Sequence, residues 1–325
     1  MRERWFLSRK PGSASVTNKW ASINLGFAPI RSPAEFENGV LRIRLAHLGD
    51  VEDKDRFLQL MYYFLGWMVG DAGKTFSNRH QWARFQLQLC RGHEENLALG
   101  NSVMDCITQL GVPWRRIVDA LPNETEPHGA FKWNSYFSEV FFWFHVSCLG
   151  LDKTEVTSHH PVKMNWLLLA SPENRLWFLR GLADSDGSVN IRNKTVTITS
   201  EPNVRLIKDL LTSLNANPRE YWYRGNCAIS ITVAIANALW IFSPFVDTHR
   251  CKLLRKLANA RVFPRKWPSW LDLKVKRMIL QSRNPSAIRN AVFEEDNVYL
   301  KLKSIKSRVH SKIWEKPAAR FEHAT

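Results

Sequence analysis

The segment LRGLADSDG, residues 179–187, contains apolar residues followed by two aspartates and a final glycine. An earlier segment, FLGWMVGDAG at residues 64–73, has the same layout, with Asp71 in the place of Asp186. Self-similarity at a fixed offset is the mark of a repeated structural unit. The sequence therefore predicts two copies of one fold, each opened by an apolar helix that runs into an aspartate.

The stretch after each motif alternates between polar and apolar residues. A period of two indicates a strand with one buried and one solvent-facing side. A turn is predicted at residues 193–194, between two such strands of the second copy. The polar positions are Arg84, Gln86 and Gln88 in the first copy and Asn190, Arg192 and Lys194 in the second.

The rest of each copy repeats the same order of elements. Apolar spacing typical of helices follows at residues 97–110 and 204–214, with Gly111 or Asn215 as the stop signal. The chain then restarts in extended form, and a last apolar helix is predicted at residues 137–149 in the first copy and 234–242 in the second.

Small residues form a ridge on each motif helix. Gly66 and Gly70 are four residues apart, as are Gly181 and Ser185, so each pair lies on one helix face. Glycine destabilises a helix by roughly 1 kcal/mol against alanine. Close approach by a partner helix offsets that loss, and the natural partner is the motif helix of the other copy.

Packing of the two motif helices would place Asp71 and Asp186 side by side at their C-terminal ends. A carboxylate there faces the negative end of the helix dipole, which is unfavourable by about 0.3–1 kcal/mol. A divalent cation removes that penalty, and oxygen ligands favour magnesium over zinc. Such an ion can drive phosphodiester hydrolysis. Asp184 has Val69 as its counterpart, so we interpret it as a local cap or a solvated residue.

The composition indicates a polyanionic partner. The 325 residues carry a formal net charge of +16, and from Arg250 onward 19 basic residues face 6 acidic ones. Nucleic acid is the leading candidate. The five cysteines show no paired spacing, which disfavours disulfides and structural zinc and fits a reducing intracellular compartment. The apolar run at residues 60–70 is shorter than a membrane span, and no secretion signal is expected.

The motif residues resemble the LAGLIDADG homing endonucleases, specifically the single-chain form with two motifs. The resemblance covers roughly residues 58–271. It implies an α+β fold of two pseudo-symmetric αββαββα repeats, with antiparallel saddle-shaped sheets and the motif helices at the interface. It further implies double-strand DNA cleavage, with the last acid of each motif, Asp71 and Asp186, as metal ligands. Ala72 departs from the family pattern, which usually has glycine there.

This resemblance also implies a partner, a cofactor and further site residues. We expect a monomer that binds double-stranded DNA and magnesium and reads bases with the six polar strand residues given above. A basic residue near each active site is typical of the family, and Lys153 and Arg250 occupy comparable places. The expected divisions are an N-terminal extension (1–55), a first repeat (56–165), a second repeat (166–272) and a basic C-terminal extension (273–325), with both extensions expected to be irregular.

Two other functions remain open from the sequence. The same fold and charge suit an RNA-binding splicing maturase, and a nuclease-inactive DNA-binding regulator would have a similar composition. The chain lacks the terminal residues of an intein, so we expect an intron-encoded or free-standing protein of an archaeal cytoplasm or an organelle. Both motif acids are present, which favours cleavage.

Overall fold

The computed structural model describes part of the chain. Its residues are 20–24, 35–37, 40–44, 54–70, 72–77, 82–109, 112–117, 119–122, 124, 127–138, 141–142, 144–223, 227–263, 266–281 and 283–310. The described residues cluster into two compact units. One comprises residues 1–189 and 195–252, and the other residues 190–194 and 253–325.

The N-terminal segment contains regular structure where we expected none. Three antiparallel strands form a small sheet in the order β1-β3-β2. They are β1 (Trp20–Asn24), β2 (Glu35–Glu37) and β3 (Val40–Arg44). Strands this short carry too little periodicity to be recognised from the sequence.

Two repeats with the same order of elements follow. The first contains α1 (Lys54–Val69), β4 (Gly73–Phe76), β5 (Ala83–Cys90), α2 (Glu95–Gln109), β6 (Trp114–Arg116) and β7 (Ala130–Ser135). The second contains α3 (Pro172–Asp186), β8 (Gly187–Asn190), β9 (Thr195–Thr199), α4 (Val204–Ser213), β10 (Arg219–Tyr223) and β11 (Cys227–Ala234).

Both repeats build the same four-stranded sheet. The orders are β4-β5-β7-β6 and β8-β9-β11-β10, so the second and fourth strands of each repeat are central. The pairs β4–β5, β5–β7, β6–β7, β9–β11 and β10–β11 are antiparallel. The predicted α+β fold of two pseudo-symmetric repeats is confirmed.

Alternation along the strands places one face of each sheet against its helices. On β5, Ala83, Phe85 and Leu87 are buried while Arg84 and Gln86 are partly accessible. On β9, Val196 and Ile198 are buried between partly or fully exposed threonines. Residues 60–69 of α1 are all buried, as expected for the central helix of a core. The predicted turn is present, with Lys194 in the left-handed region at φ 53°.

The predicted last helix is wrong in the second repeat and is only partly formed in the first. At residues 234–242 only a single 3-10 turn forms, Ile235–Asn237. The N–H of Ser243 donates to Asp184 Oδ1 at 3.3 Å and so does not extend a helix. In the first repeat the backbone of Ser138 pairs with Ala83 as a β-bridge, so the helix does not begin at residue 137. Phe141 and Phe142 are helical, and a short π-helix follows at Phe144–Cys148.

A helical region follows β11, and its part beyond residue 273 lies where the sequence led us to expect an irregular extension. It contains α5 (His249–Ala258), β12 (Arg261–Val262), α6 (Ser269–Leu280), α7 (Pro285–Asp296), β13 (Val298–Tyr299) and α8 (Leu302–His310). The second compact unit takes in this chain from Leu253, before the division we expected at residue 273.

Candidate active site

The two motif helices contact each other through the predicted small residues. An added β-carbon on Gly66 would collide with the carbonyl oxygen of Phe178 on α3. One on Gly181 would collide with the carbonyl oxygen of Tyr63 on α1. The two contacts are reciprocal, so each helix backbone approaches the other at the glycine of its own motif. This confirms the helix pairing inferred from the ridge of small residues.

The same contact brings the C-terminal ends of the two helices together. A β-carbon on Gly70 would overlap the side chain of Ser185 and lie 3.0 Å from Asp186 Oδ2. Ser185 Oγ in turn donates to Asp186 Oδ1 at 3.1 Å. Asp71, which follows Gly70 in the chain, lies outside the described residues. The Asp186 carboxylate is therefore held against the end of the other motif helix.

A cleft of about 540 Å³ opens beside Asp186. Its polar lining consists of oxygen-bearing side chains, with neither histidine nor cysteine among them. They are Thr157, Ser158, Ser185, Asp186, Thr199, Ser200 and Glu201. No group of three His, Cys, Asp or Glu residues with metal-binding geometry occurs within the described ranges, which omit Asp71.

Arg250 binds the C-terminal end of α3. Its Nη1 donates to the carbonyl oxygen of Gly187 at 2.8 Å, and Nη2 donates to that of Asp184. Two longer bonds of 3.4 Å reach Ala183 and Ser185. A cation at a helix C-terminus satisfies carbonyls that have no intrahelical partner and opposes the dipole. Arg250, predicted as a catalytic residue that follows the last repeat helix, lies inside α5 and positions the Asp186 end of α3.

Asp184 is neither a cap nor a solvated residue, contrary to our interpretation. Its side chain is 1% exposed and accepts a hydrogen bond from the hydroxyl of Tyr63 at 2.8 Å. Burial raises its pKa above the ordinary value, and the bonds from Ser243 and Tyr63 and the charge of Arg250 oppose the rise. The helix interface thus contains a buried polar contact that the motif pattern alone did not reveal.

Lys74 on β4 is a basic residue that the sequence analysis did not select. Its ammonium donates to Thr157 Oγ1, a lining atom of the cleft, at 3.2 Å. Burial lowers its pKa to about 7, and the negative charge of Asp186 acts in the opposite direction. A lysine among strand residues gives no sequence signal of this proximity. Lys153, by contrast, is exposed and lies with its ammonium 5.1 Å from the ring centre of Phe142.

A second concave surface lies on the accessible face of the first sheet. This groove has a volume of about 550 Å³, and its lining includes Gln86, Gln88, Lys132 and Asn134. Gln86 accepts from Thr75 at 2.8 Å and donates to Asn134 Oδ1 at 3.2 Å, so the amides form a connected row. Sequence reasoning found the two glutamines. It missed Lys132 and Asn134, which β7 brings alongside them.

The match to a known family lies in the second repeat. Residues 173–238, which span most of α3 and both strand pairs, match the family model described as the LAGLIDADG-like domain. This part of the chain is similar to a LAGLIDADG-like domain. The resemblance carried by the motif residues is thereby confirmed where the motif is strongest. No curated protein matches the chain at the level of sequence.

Solved structures with a similar arrangement include LAGLIDADG proteins. The homing endonuclease I-WcaI bound to its DNA recognition sequence is 12% identical, with a TM-score of 0.42 over 63% of this chain and 94% of its own. I-DmoI in complex with DNA and Mn is 13% identical, with a TM-score of 0.38 over 57% and 98%. The N-terminal LAGLIDADG domain of DUF199/WhiA is 17% identical, with a TM-score of 0.35 over 56% and 80%.

The residues predicted on the strand face of the second repeat have different surroundings from those of the first. Strand β8 ends at Asn190, so Arg192 and Lys194 lie in the turn that follows it and not on a strand as predicted. Arg192 is exposed. Asn190 Oδ1 accepts the backbone N–H of Asn193 at 3.2 Å, which stabilises the turn. The ammonium of Lys194 lies 4.8 Å from the ring centre of Tyr299. In the first repeat, Arg84 has its guanidinium 5.3 Å from the ring centre of Phe137.

None of the helices within the described ranges is both long and apolar enough to cross a membrane.

Proposed function

We propose that this protein is a site-specific DNA endonuclease that hydrolyses phosphodiester bonds with divalent cations held by Asp71 and Asp186. The observation that carries the proposal is the position of Asp186, at the end of a motif helix and in a cleft, against the end of the partner motif helix. A buried structural aspartate has no need of such a cleft.

The donor atoms in the cleft fit a hard cation. Carboxylate and hydroxyl oxygens line it, and hard ions such as Mg²⁺ prefer oxygen. We assign Asp186, with Asp71 from the other motif, as the holding residues. A bound magnesium ion would lower the pKa of a water molecule and stabilise the charge on the leaving oxygen.

The remaining residues of the site act on position and charge. Arg250 holds the last turn of α3 and so fixes the direction of the Asp186 carboxylate. Lys74, which its pKa of about 7 leaves partly protonated at neutral pH, adds positive charge beside a carboxylate and close to where a phosphate would enter. Such a cation reduces the repulsion between Asp186 and the polyanionic substrate.

The accessible sheet faces supply the means to recognise sequence. Glutamine and asparagine suit the N6 and N7 atoms of adenine, and arginine or lysine suits the O6 and N7 atoms of guanine. The row of Gln86, Gln88, Lys132 and Asn134 offers both kinds of donor on one sheet. We assign Arg84 and the exposed Arg192 to base recognition as well. Asn190 and Lys194 are assigned to the edge of the surface that contacts the bases. Lys153 remains a prediction as a basic residue of the site.

Because one chain carries both motif helices, a monomer suffices for cleavage of two strands. We further propose that the protein is intron-encoded and acts in a reducing intracellular compartment, since a mobile element of this kind must reach its host DNA.

The decisive experiment is cleavage of a plasmid library with randomised inserts, followed by sequencing of the ends. We expect double-strand breaks at one site in magnesium and none in EDTA. Asp71→Asn and Asp186→Asn should each abolish or strongly slow cleavage and retain DNA binding. Ser188→Ala, an exposed neighbour on β8, serves as the matched control with cleavage retained.

Other outcomes would contradict the proposal in distinct ways. Wild-type protein that binds one duplex tightly but never cuts it would be a nuclease-inactive regulator. Preference for intron RNA over duplex DNA would indicate the maturase function. Cleavage unaffected by EDTA would exclude the two-carboxylate site.

A further inference from the structure

Residues 253–310 belong to a compact unit that has a hydrophobic core of its own. Nine buried side chains in and around α6, α7, β13 and α8 form that core. They are Trp267, Leu271, Val275, Met278, Ile288, Val292, Val298, Leu300 and Ile305. A core on this scale holds three helices with one face inward and leaves the other faces for solvent or a partner.

Helix α8 presents a basic face to solvent. Ile305 is fully buried and anchors the helix, whereas Lys303, Lys306 and Ser307 are exposed. Lys303 and Lys306 are three residues apart and so lie on one side of the helix. Lys301, in the connection before α8, is also exposed.

The acidic residues of the same unit do not neutralise this face. Each of the four acidic side chains in the described part of residues 253–310 pairs with a cation other than Lys301, Lys303 and Lys306. The pairs are Arg308–Asp272, Lys256–Glu294, Lys274–Glu295 and Lys274–Asp296. Within the described part of the chain, Lys301, Lys303 and Lys306 form no ion pair.

The unit also contains the turn between strands β8 and β9. The hydroxyl of Tyr299 donates to the carbonyl oxygen of Arg192 at 2.6 Å, and the ring of Tyr299 lies under Lys194. One compact unit therefore holds both the basic face of α8 and the tip of two strands whose polar side chains we assign to DNA recognition.

We propose that residues 253–310 form a second DNA-binding unit, in which the basic face of α8 contacts the phosphate backbone of duplex DNA flanking the cleaved site. The flanking position rests on the endonuclease function proposed above, whereas the contact with duplex DNA does not. Lysine is a compact point charge on a flexible stem, which suits phosphates more than base edges. Contacts of this kind position the protein and add affinity without regard to sequence.

The shape and chemistry of α8 favour DNA over other polyanions. The helix has nine residues, and its outward positions are mainly lysine and serine, so it lacks the apolar face that membrane binding requires. A turn of the strands that read the duplex lies in the same unit, which favours the same duplex as the partner of α8.

The test measures binding of the full-length protein to a random-sequence 40-base-pair DNA duplex in EDTA at several salt concentrations. We expect Lys303→Gln combined with Lys306→Gln to make the logarithmic salt slope shallower by up to about 0.9 for each lost phosphate contact. The matched control, Arg205→Gln with Lys208→Gln on α4, removes the same charge from a helix behind the second sheet. Its slope should remain nearer to that of the wild type.

A photo-reactive side chain at position 307 gives a readout independent of affinity. It should crosslink to the DNA duplex, and a position on α4 such as 209 should not. Equal slopes for the two double variants, or no crosslink from position 307, would overturn the proposal, as would a stronger crosslink to an RNA duplex of the same sequence. These readouts use EDTA and do not depend on cleavage. A protein that binds DNA through this unit but never cuts it would therefore contradict the proposed endonuclease function and would still support the proposed DNA-binding unit.

Discussion

The hydroxyl of Tyr63 on α1 donates a hydrogen bond to Asp184 Oδ2 on α3, with the two oxygen atoms 2.8 Å apart. The contact joins the motif helices of the two repeats at a position where the first motif has Val69 and no acid. It is asymmetric in a pair of helices whose glycine contacts are symmetric. The second acid of the later motif therefore has a structural task, separate from that of Asp186.

Tyr63→Phe should destabilise the fold. The change leaves a buried carboxylate with one fewer donor, which costs about 1–3 kcal/mol. Urea denaturation, read as the free energy of unfolding, measures the effect. Tyr136→Phe removes the hydroxyl of an exposed tyrosine and should change stability by less than about 0.5 kcal/mol. Equal losses in the two variants would contradict the structural role of the Tyr63–Asp184 bond.

Arg250→Met should both destabilise the protein and slow cleavage. The carbonyl oxygens at the end of α3 lose a charged donor, for which a loss of about 1.5–3 kcal/mol is expected. Asp186 lies in the turn that Arg250 holds, so the cleavage rate should fall as well. Lys252→Met, two residues along the same helix, breaks only a surface ion pair with Glu95 at 3.7 Å. The idea would fail if Lys252→Met reduced stability and rate as much as Arg250→Met.

Lys74 should give the folded protein a particular dependence on pH. Its folded pKa of about 7 lies below the ordinary value of 10.5, so between these two values the unfolded chain binds a proton that the folded chain does not. The contribution of Lys74 to the free energy of unfolding therefore rises with pH above 7, by up to about 1.4 kcal/mol per pH unit. Below pH 7 the full desolvation penalty applies.

Lys74→Met should thus be more stable than the wild type near pH 6.5, and the difference should shrink as the pH rises towards 10. Urea denaturation of both proteins in EDTA at each pH checks this expectation. Lys153→Met, at an exposed lysine, is the control, and its difference from the wild type should stay constant. A constant difference for Lys74→Met would show that its ammonium is not buried in solution.

The groove of the first sheet should determine base preference. Gln88→Ala should weaken binding to the preferred site by about 1–3 kcal/mol and relax the choice at one or two base pairs. Competition binding against a set of singly mismatched duplexes measures both quantities. The α8 double variant is a useful contrast because it should weaken all duplexes alike. Uniform loss of affinity from Gln88→Ala, with base preference unchanged, would exclude this side chain as a reader.

The repeat and its central helix pair could be predicted because their signals are local. Glycine spacing fixed the facing sides of α1 and α3, and the alternation around Phe85 and Val196 fixed the buried faces of the strands. The last helices could not be predicted in this way. Ala236 and Leu239 are exposed in the second repeat. The backbone at Ser138 and Ser243 bonds to distant groups, which periodicity does not register.

The surroundings of the candidate site were the least predictable part. Lys74 lies on a strand 112 residues before Asp186, and its proximity arises from the packing of the two repeats. Lys132 and Asn134 were missed for a related reason. They line the groove only because β7 pairs with β5 within the first repeat. The C-terminal helices were not predicted because short amphipathic segments separated by charged residues resemble a solvated tail.

Because of the reciprocal contacts of Gly66 and Gly181, substitutions in the helix pair and substitutions in the strands have different consequences during evolution. A larger side chain at either glycine pushes the two backbones apart and so moves the ends of both motif helices at once. Under the function proposed above, neither cutting centre could shift without disturbing the other. The groove of the first sheet carries no such constraint, since Gln86 and Gln88 line a surface separate from the cleft at Asp186. Under the same proposal, substitutions there would redirect the protein to a new target while the cutting machinery is inherited unchanged.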